Sequence, residues 1–98
     1  MRPVVLRPEA SEDLEQTREW YESKREGLGE RFLDAVEVAL RKIEDFPKAP
    51  AVIYRGVRFM ALRKFPYGVF HQVLEDRVDV LAVVHGRRAS RIWKDRLD

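Results

Sequence analysis

The chain has no cysteine among its 98 residues, which excludes disulfides, thiolate metal sites and cysteine nucleophiles. It has only two histidines, His71 and His85, so any imidazole acid–base chemistry must use one of them. Two histidines without a third nearby ligand also fall short of a zinc set, and no metal or other cofactor is expected. Long apolar runs are missing as well. The opening segment offers only Val4-Val5-Leu6 after Pro3, too short for a signal-peptide core or a membrane span, so the expectation is a cytoplasmic protein with no membrane partner. Ser11 and Ser90 lack a Gly-x-Ser-x-Gly setting and no phosphate-loop glycine pattern occurs, which sets aside serine-hydrolase and nucleoside-triphosphate chemistry. Repeats, low-complexity tracts and linkers are absent from the sequence too.

What is present describes one globular domain over 1–98, with 45% hydrophobic and 37% charged residues. Nineteen Lys plus Arg against 17 Asp plus Glu give +2, a total that conceals an asymmetry. Residues 1–50 carry 9 basic and 12 acidic groups (9 − 12 = −3), and residues 51–98 carry 10 and 5 (10 − 5 = +5). The first half reads as scaffold and the second as an anion-facing surface.

Val4 to Leu6 read as a short strand stopped by Pro8, which suits the first turn of a helix. Acidic Glu9, Glu12, Asp13 and Glu15 then complement the positive end of the helix dipole. Ala10, Leu14, Thr17 and Tyr21, widened by Trp20, lay an apolar stripe along a helix over roughly 10–25. Gly27-Leu28-Gly29 turns the chain back into a second helix whose stripe is Leu28, Phe32, Val36, Ala39, Ile43 and Phe46, ended by Pro47 and Pro50. Together these predict a helical hairpin with one shared seam.

From Ala51 the period changes. Val57 to Phe65, Tyr67 to Leu74 and Val78 to His85 are strand-length runs separated by Pro66-Tyr67-Gly68 and by Glu75-Asp76-Arg77. Connections this short predict an antiparallel meander of three strands. Strict alternation gives Val78, Val80, Ala82 and Val84 one face, and Asp79, Leu81, Val83 and His85 the other. A two-residue loop after the middle strand would put His71 and His85 on opposite faces, a three-residue loop on the same face. Arg87 to Asp98 closes the chain as a basic segment with a short helix from Ser90 that carries Ile92, Trp93 and Leu97.

Arg55, Arg58, Arg63, Lys64, Arg87, Arg88, Arg91, Lys94 and Arg96 gather on the meander and tail, seven arginines to two lysines. That is the footprint of a nucleic-acid or acidic-protein surface, with Arg favoured for planar, bidentate contacts. His85 is the better functional candidate of the two histidines, because it precedes Gly86-Arg87-Arg88. Acidic residues on the helices pair with bases four residues on, as Glu37 with Arg41, and read as helix support. Trp20, Tyr21 and Trp93 read as seam or core residues before they read as a base-stacking platform.

Three stretches carry a family likeness: Arg7-Pro8-Glu9-Ala10, Phe65-Pro66-Tyr67 with Val69-Phe70, and Val80 to Val84 running into His85-Gly86-Arg87-Arg88. The chain resembles the RelE/ParE toxin superfamily of type II toxin–antitoxin systems over nearly its whole length. The resemblance implies an α+β fold: a short N-terminal strand, a helical hairpin packed on one face of the antiparallel meander, and a basic C-terminal segment. It also implies a cognate antitoxin, a toxin–antitoxin hetero-oligomer and a role in plasmid stabilization. RelE-like members are ribosome-dependent mRNA endoribonucleases that use lysines on the first meander strand, an arginine after the middle strand's tyrosine, a later arginine and a C-terminal tyrosine. Here Phe59 and Ala61 fall near the lysine positions, Gly68 follows Tyr67, and Trp93 or Lys94 stands near the tyrosine; only Arg88 matches. The ParE-like branch, whose members poison DNA gyrase, is therefore favoured, with a ribonuclease using His85 and Arg88 as the alternative and an inactive antitoxin-binding homologue as a further one. Arg58, Arg63, Lys64, Arg87, Arg88, Arg91 and Trp93 are the expected target- or antitoxin-binding residues.

Overall fold

The computed structural model describes residues 2–87 and 90–97, the side chains of Ser90 and Arg91 excepted. Strand β1 (Val4–Leu6) leads into helix α1 (Pro8–Lys24), with Pro8 in the first turn where its missing N–H costs nothing. Helix α2 (Leu28–Asp45) follows after a turn in which Gly27 takes φ 86°, a left-handed conformation that favours glycine. The end of α1 also caps the start of α2. The Glu22 carboxylate accepts the backbone N–H of Gly27 at 2.9 Å and of Gly29 at 3.0 Å, and those two bonds hold its pKa below the usual carboxylate range. Gly29 is where the two helices touch: a Cβ there would stand 2.8 Å from the Arg18 carbonyl oxygen.

Four strands follow: β2 (Val52–Tyr54), β3 (Val57–Ala61), β4 (Tyr67–Val73) and β5 (Val78–His85). They form an antiparallel meander, and β1 joins it parallel to β5, giving the order β1-β5-β4-β3-β2. The parallel pairing is possible because the helical hairpin supplies the long crossover that parallel neighbours require. The meander has one strand more than the sequence runs suggest. β2 pairs through Arg55-Gly56, whose φ values of 43° and 81° make the tight two-residue turn that matches strand twist. Three residues carry too little period to register as a strand; Gly56 was the available signal.

The helices cover one face of the sheet. Phe32, Val36, Ala39 and Ile43 of α2 and Ala10 of α1 pack with Leu62, Val69, Val78, Val80 and Val83 as the main core. Two residues assigned to the helical stripes stand outside it. Trp20 is 51% exposed on the outer side of α1, and Phe46 is 70% exposed where α2 ends. The short helix α3 (Ser90–Asp95) lies on the opposite face and seats Trp93 among Val57, Phe70, Leu81 and Ala82.

Strict alternation along β5 fails at one point. His71 pairs with Val80 but Phe70 pairs with Ala82, so Leu81 is a bulge residue with no partner on β4. Leu81 and Ala82 therefore both belong to the α3 side, and Val83 returns to the helical side. The histidine expectation changes for the same reason. The loop after β4 is the two-residue Glu75-Asp76, closed by Leu74 N–H to the Arg77 carbonyl at 2.8 Å. The bulge then reverses the parity, and His85, paired with Tyr67, shares the helical face with His71.

Candidate functional site

The sheet end that carries the basic residues is built by two connections. Arg63 and Lys64 stand exposed in the turn after β3, Lys64 with φ 70°. The Gly86 N–H donates to the Pro66 carbonyl at 3.0 Å, which brings Arg87, also exposed, beside that turn. Arg88 lies outside the described residues, as does the Arg91 side chain.

Beside this end runs a groove of about 870 Å³ between α2 and β3. Its apolar lining includes Tyr21, Val38, Ala39, Met60 and Phe65, and its cations are Arg31, Lys42, Arg63 and Lys64 against one acid, Asp34. Val38 is 51% exposed. β2 pairs only with Val57 and Arg58, so Met60 and Ala61 line the groove without a strand on that side. Arg31, Val38 and Lys42 escaped the sequence reading, because they sit off the buried stripe of α2. The signal was there: Val38 is a large apolar residue on the polar side of an otherwise regular helix.

Arg58 is engaged within the fold. Its Nη1 donates to the carbonyls of Lys48 at 2.9 Å and Pro50 at 2.6 Å, so the guanidinium pins the connection between α2 and β2. His71, directly across from Arg58 on β4, holds the same connection: Nε2 donates to the Pro47 carbonyl at 3.2 Å. The ring is fully buried and its Nδ1 has no partner. Desolvation pushes the His71 pKa down, reinforced by the nearby Arg58 charge, so the ring is neutral. Trp93 is likewise a packed residue, 4% exposed and stacked on Phe70 with ring centroids 5.4 Å apart.

Comparison with known proteins decides the family. The model of the ParE toxin of type II toxin–antitoxin systems, parDE, matches residues 4–90. The chain belongs to the ParE toxin family. A solved structure described as the chromosomal ParDE toxin–antitoxin system from P. aeruginosa shares the fold, with TM-score 0.66 and 18% identity over 87% of this chain and 96% of that one. No match was found among curated proteins.

Phe59, Ala61 and Gly68, the residues at the expected nuclease positions, carry no charge in this ParE-family chain. The Phe59 side chain lies over Gly68, so close that a Cβ on Gly68 would meet its Cε1 at 2.1 Å. Phe59 in turn packs on Phe70 with centroids 4.7 Å apart. His85 is tied up: its Nδ1 accepts the Arg87 N–H at 3.1 Å, and the ring stands edge-on to Tyr67 at 5.6 Å. With Nδ1 accepting that bond, only Nε2 of His85 remains for other contacts. Among the described residues no group of three His, Asp or Glu is placed to hold a metal ion. No described helix is long and apolar enough to cross a membrane.

Proposed function

We propose that the protein is a ParE-like toxin that acts in the cytoplasm by inhibiting DNA gyrase, and that a cognate antitoxin silences it by laying an apolar, acidic segment in the groove between α2 and β3. The observation that carries the binding half is the groove itself. It combines an apolar floor, four cations against one acid and a free stretch of strand edge. An amphipathic helix is accommodated along Val38 and Ala39, an extended segment along Met60 and Ala61, and acidic side chains by Arg31, Lys42, Arg63 and Lys64.

The inhibitory half rests on the family and on what the chain lacks for catalysis. Cleaving RNA needs preorganised charge where the phosphoryl group gains it, and one such donor alone is worth about 3 kcal/mol. Phe59 and Gly68 supply none, and His85 is occupied by the Arg87 amide. A gyrase poison has no such requirement, because it acts by binding. Arg63, Lys64 and Arg87 then serve target contact through charge.

The experiment is induction of the protein in bacteria while translation and DNA integrity are followed together. Filamentation with DNA-damage signalling, and protein synthesis continuing through the first minutes, is the expected result. Immediate translation arrest with cleaved mRNA would sink the gyrase reading in favour of the ribonuclease, and unimpaired growth would leave an antitoxin-binding homologue.

A further inference from the structure

The bulge in β5 leaves backbone groups that no strand satisfies. On the β4 side Leu81 is skipped, and on the other side β1 ends at Leu6, opposite Val80. The last bond from that side is Arg7 N–H to the Val80 carbonyl at 3.1 Å. Beyond it the edge of β5 is closed by two side chains from opposite faces of the sheet. Asp13 of α1 accepts the Val83 N–H at 3.1 Å, and Arg96, just past α3, donates to the Leu81 carbonyl at 3.0 Å. The two side chains also grip each other in a two-pronged pair, at 2.6 and 3.1 Å. Arg7, itself paired with the buried Asp79 at 3.0 Å, donates to the Arg96 carbonyl at 2.6 Å.

The C-terminal segment itself is short. α3 has six residues, far below the length at which a helix sustains itself. Of its described side chains only Trp93 is buried; Ile92 is 41% exposed, and Lys94 points outward over the rings of Tyr54 and Trp93 at 4.6 and 5.5 Å. Trp93, the partly buried Leu97, the Arg96 guanidinium and the Arg7 bond to the Arg96 carbonyl fasten the segment to a face whose remaining residues, Val57, Phe70, Leu81 and Ala82, are apolar. The family match, moreover, ends at residue 90, where α3 begins.

We propose that residues 90–97 form a strap that opens and closes as a unit, independently of global unfolding, with Arg96 as its latch on Asp13 and on the unpaired edge of β5. Closed, the strap covers the second face of the sheet and engages the Arg96 guanidinium. Open, it uncovers Phe70 and Ala82 and frees a cationic tail bearing Arg91, Lys94 and Arg96. Trp93 reaches a partner only in the open state. Strap opening is a property of the chain alone and holds whatever the protein's target is.

Segments held by few buried contacts open well below the free energy of global unfolding, and hydrogen exchange reads the difference directly. In the wild-type protein, backbone amides of 90–97 are expected to exchange at least about 100-fold faster than those of β4 and β5. Arg96→Met and Asp13→Asn should each speed exchange of 90–97 by a further factor of about ten while leaving the central amides unchanged, since each breaks the same two-pronged pair. The double variant should add little to either single one. With the exposed Trp20 replaced by Phe, Trp93 emission should shift to the red and become more quenchable in both latch variants. Exchange of 90–97 at the rate of β4 and β5 in the wild-type chain would overturn the strap, and needs no variant to fold. Uniform acceleration of all amides by Arg96→Met would overturn the latch.

Discussion

The ring of Phe59 occupies the space beside the Cα of Gly68, so close that even a methyl group at residue 68 would stand 2.1 Å from its Cε1 and 2.9 Å from the Met60 carbonyl oxygen. The two residues face each other across neighbouring strands near the basic end of the sheet, Ala61 pairing with Gly68 and Phe59 with Phe70. Gly68→Ala is therefore expected to destabilise the fold by about 1–3 kcal/mol, the usual cost of forcing bulk into a filled site. Chemical denaturation measures it. Because Phe59 is the main obstacle, Phe59→Ala should absorb part of that loss in the double variant, and a fully additive pair would show that the ring is not what excludes a side chain.

His71 makes stability depend on pH in a predictable direction. Burial and the Arg58 charge depress its folded pKa below the ordinary histidine value, so the folded state resists the proton that the unfolded chain accepts. The stabilisation is complete above the unfolded value and is lost as pH falls below it toward the folded pKa. Denaturation midpoints should thus decline between about pH 7 and 5.5, before the carboxylates titrate. His71→Gln is expected to lower stability overall and flatten the slope in that window. A slope that survives the substitution would assign the acid sensitivity elsewhere.

Val38 is the exposed apolar residue at the centre of the groove's helical wall, flanked by Lys42 one turn on. Val38→Glu leaves the buried stripe of Phe32, Val36, Ala39 and Ile43 untouched, so folding should be unaffected. Antitoxin affinity should fall roughly 10- to 100-fold, as expected of a central contact in a desolvated site. Arg63→Glu and Lys64→Glu should act mainly on the association rate and its salt dependence, since both sit exposed at the rim. Calorimetry and surface-binding kinetics on the purified pair separate the two effects. Unchanged affinity in Val38→Glu would move the antitoxin off the groove.

Most of the architecture was legible in the sequence because its signals are local and periodic. Pro8 opens α1, Gly27 ends the hairpin turn, Glu37 pairs with Arg41 at 2.6 Å, and the runs Tyr67 to Leu74 and Val78 to His85 hold strands β4 and β5. What escaped depends on single-residue events with no periodic trace. The bulge at Leu81 is one residue of slippage, and it moves Val83 and His85 to the other face while making room for Asp13 and Arg96. Trp20 widens the helical stripe by spacing, but it stands on the outer side of α1, 51% exposed, with the Lys24 ammonium 5.0 Å from its ring centroid, while its neighbour Tyr21 packs on Tyr67 of β4. The surroundings of the candidate residues were not legible. Arg63, Lys64 and Arg87 stand at one end of the sheet, Arg58 bonds two backbone carbonyls and Trp93 is a packed ring, surroundings that charge and aromaticity alone do not disclose.

DNA supercoiling by purified gyrase in the presence of the purified protein tests the central claim most directly, with translating ribosomes programmed with mRNA as the parallel assay. The expected outcome is inhibited supercoiling with accumulation of cleaved DNA, intact mRNA, and the same inhibition from His85→Ala, whose imidazole is held by the Arg87 amide. Untouched supercoiling together with mRNA cleavage that His85→Ala abolishes would contradict it.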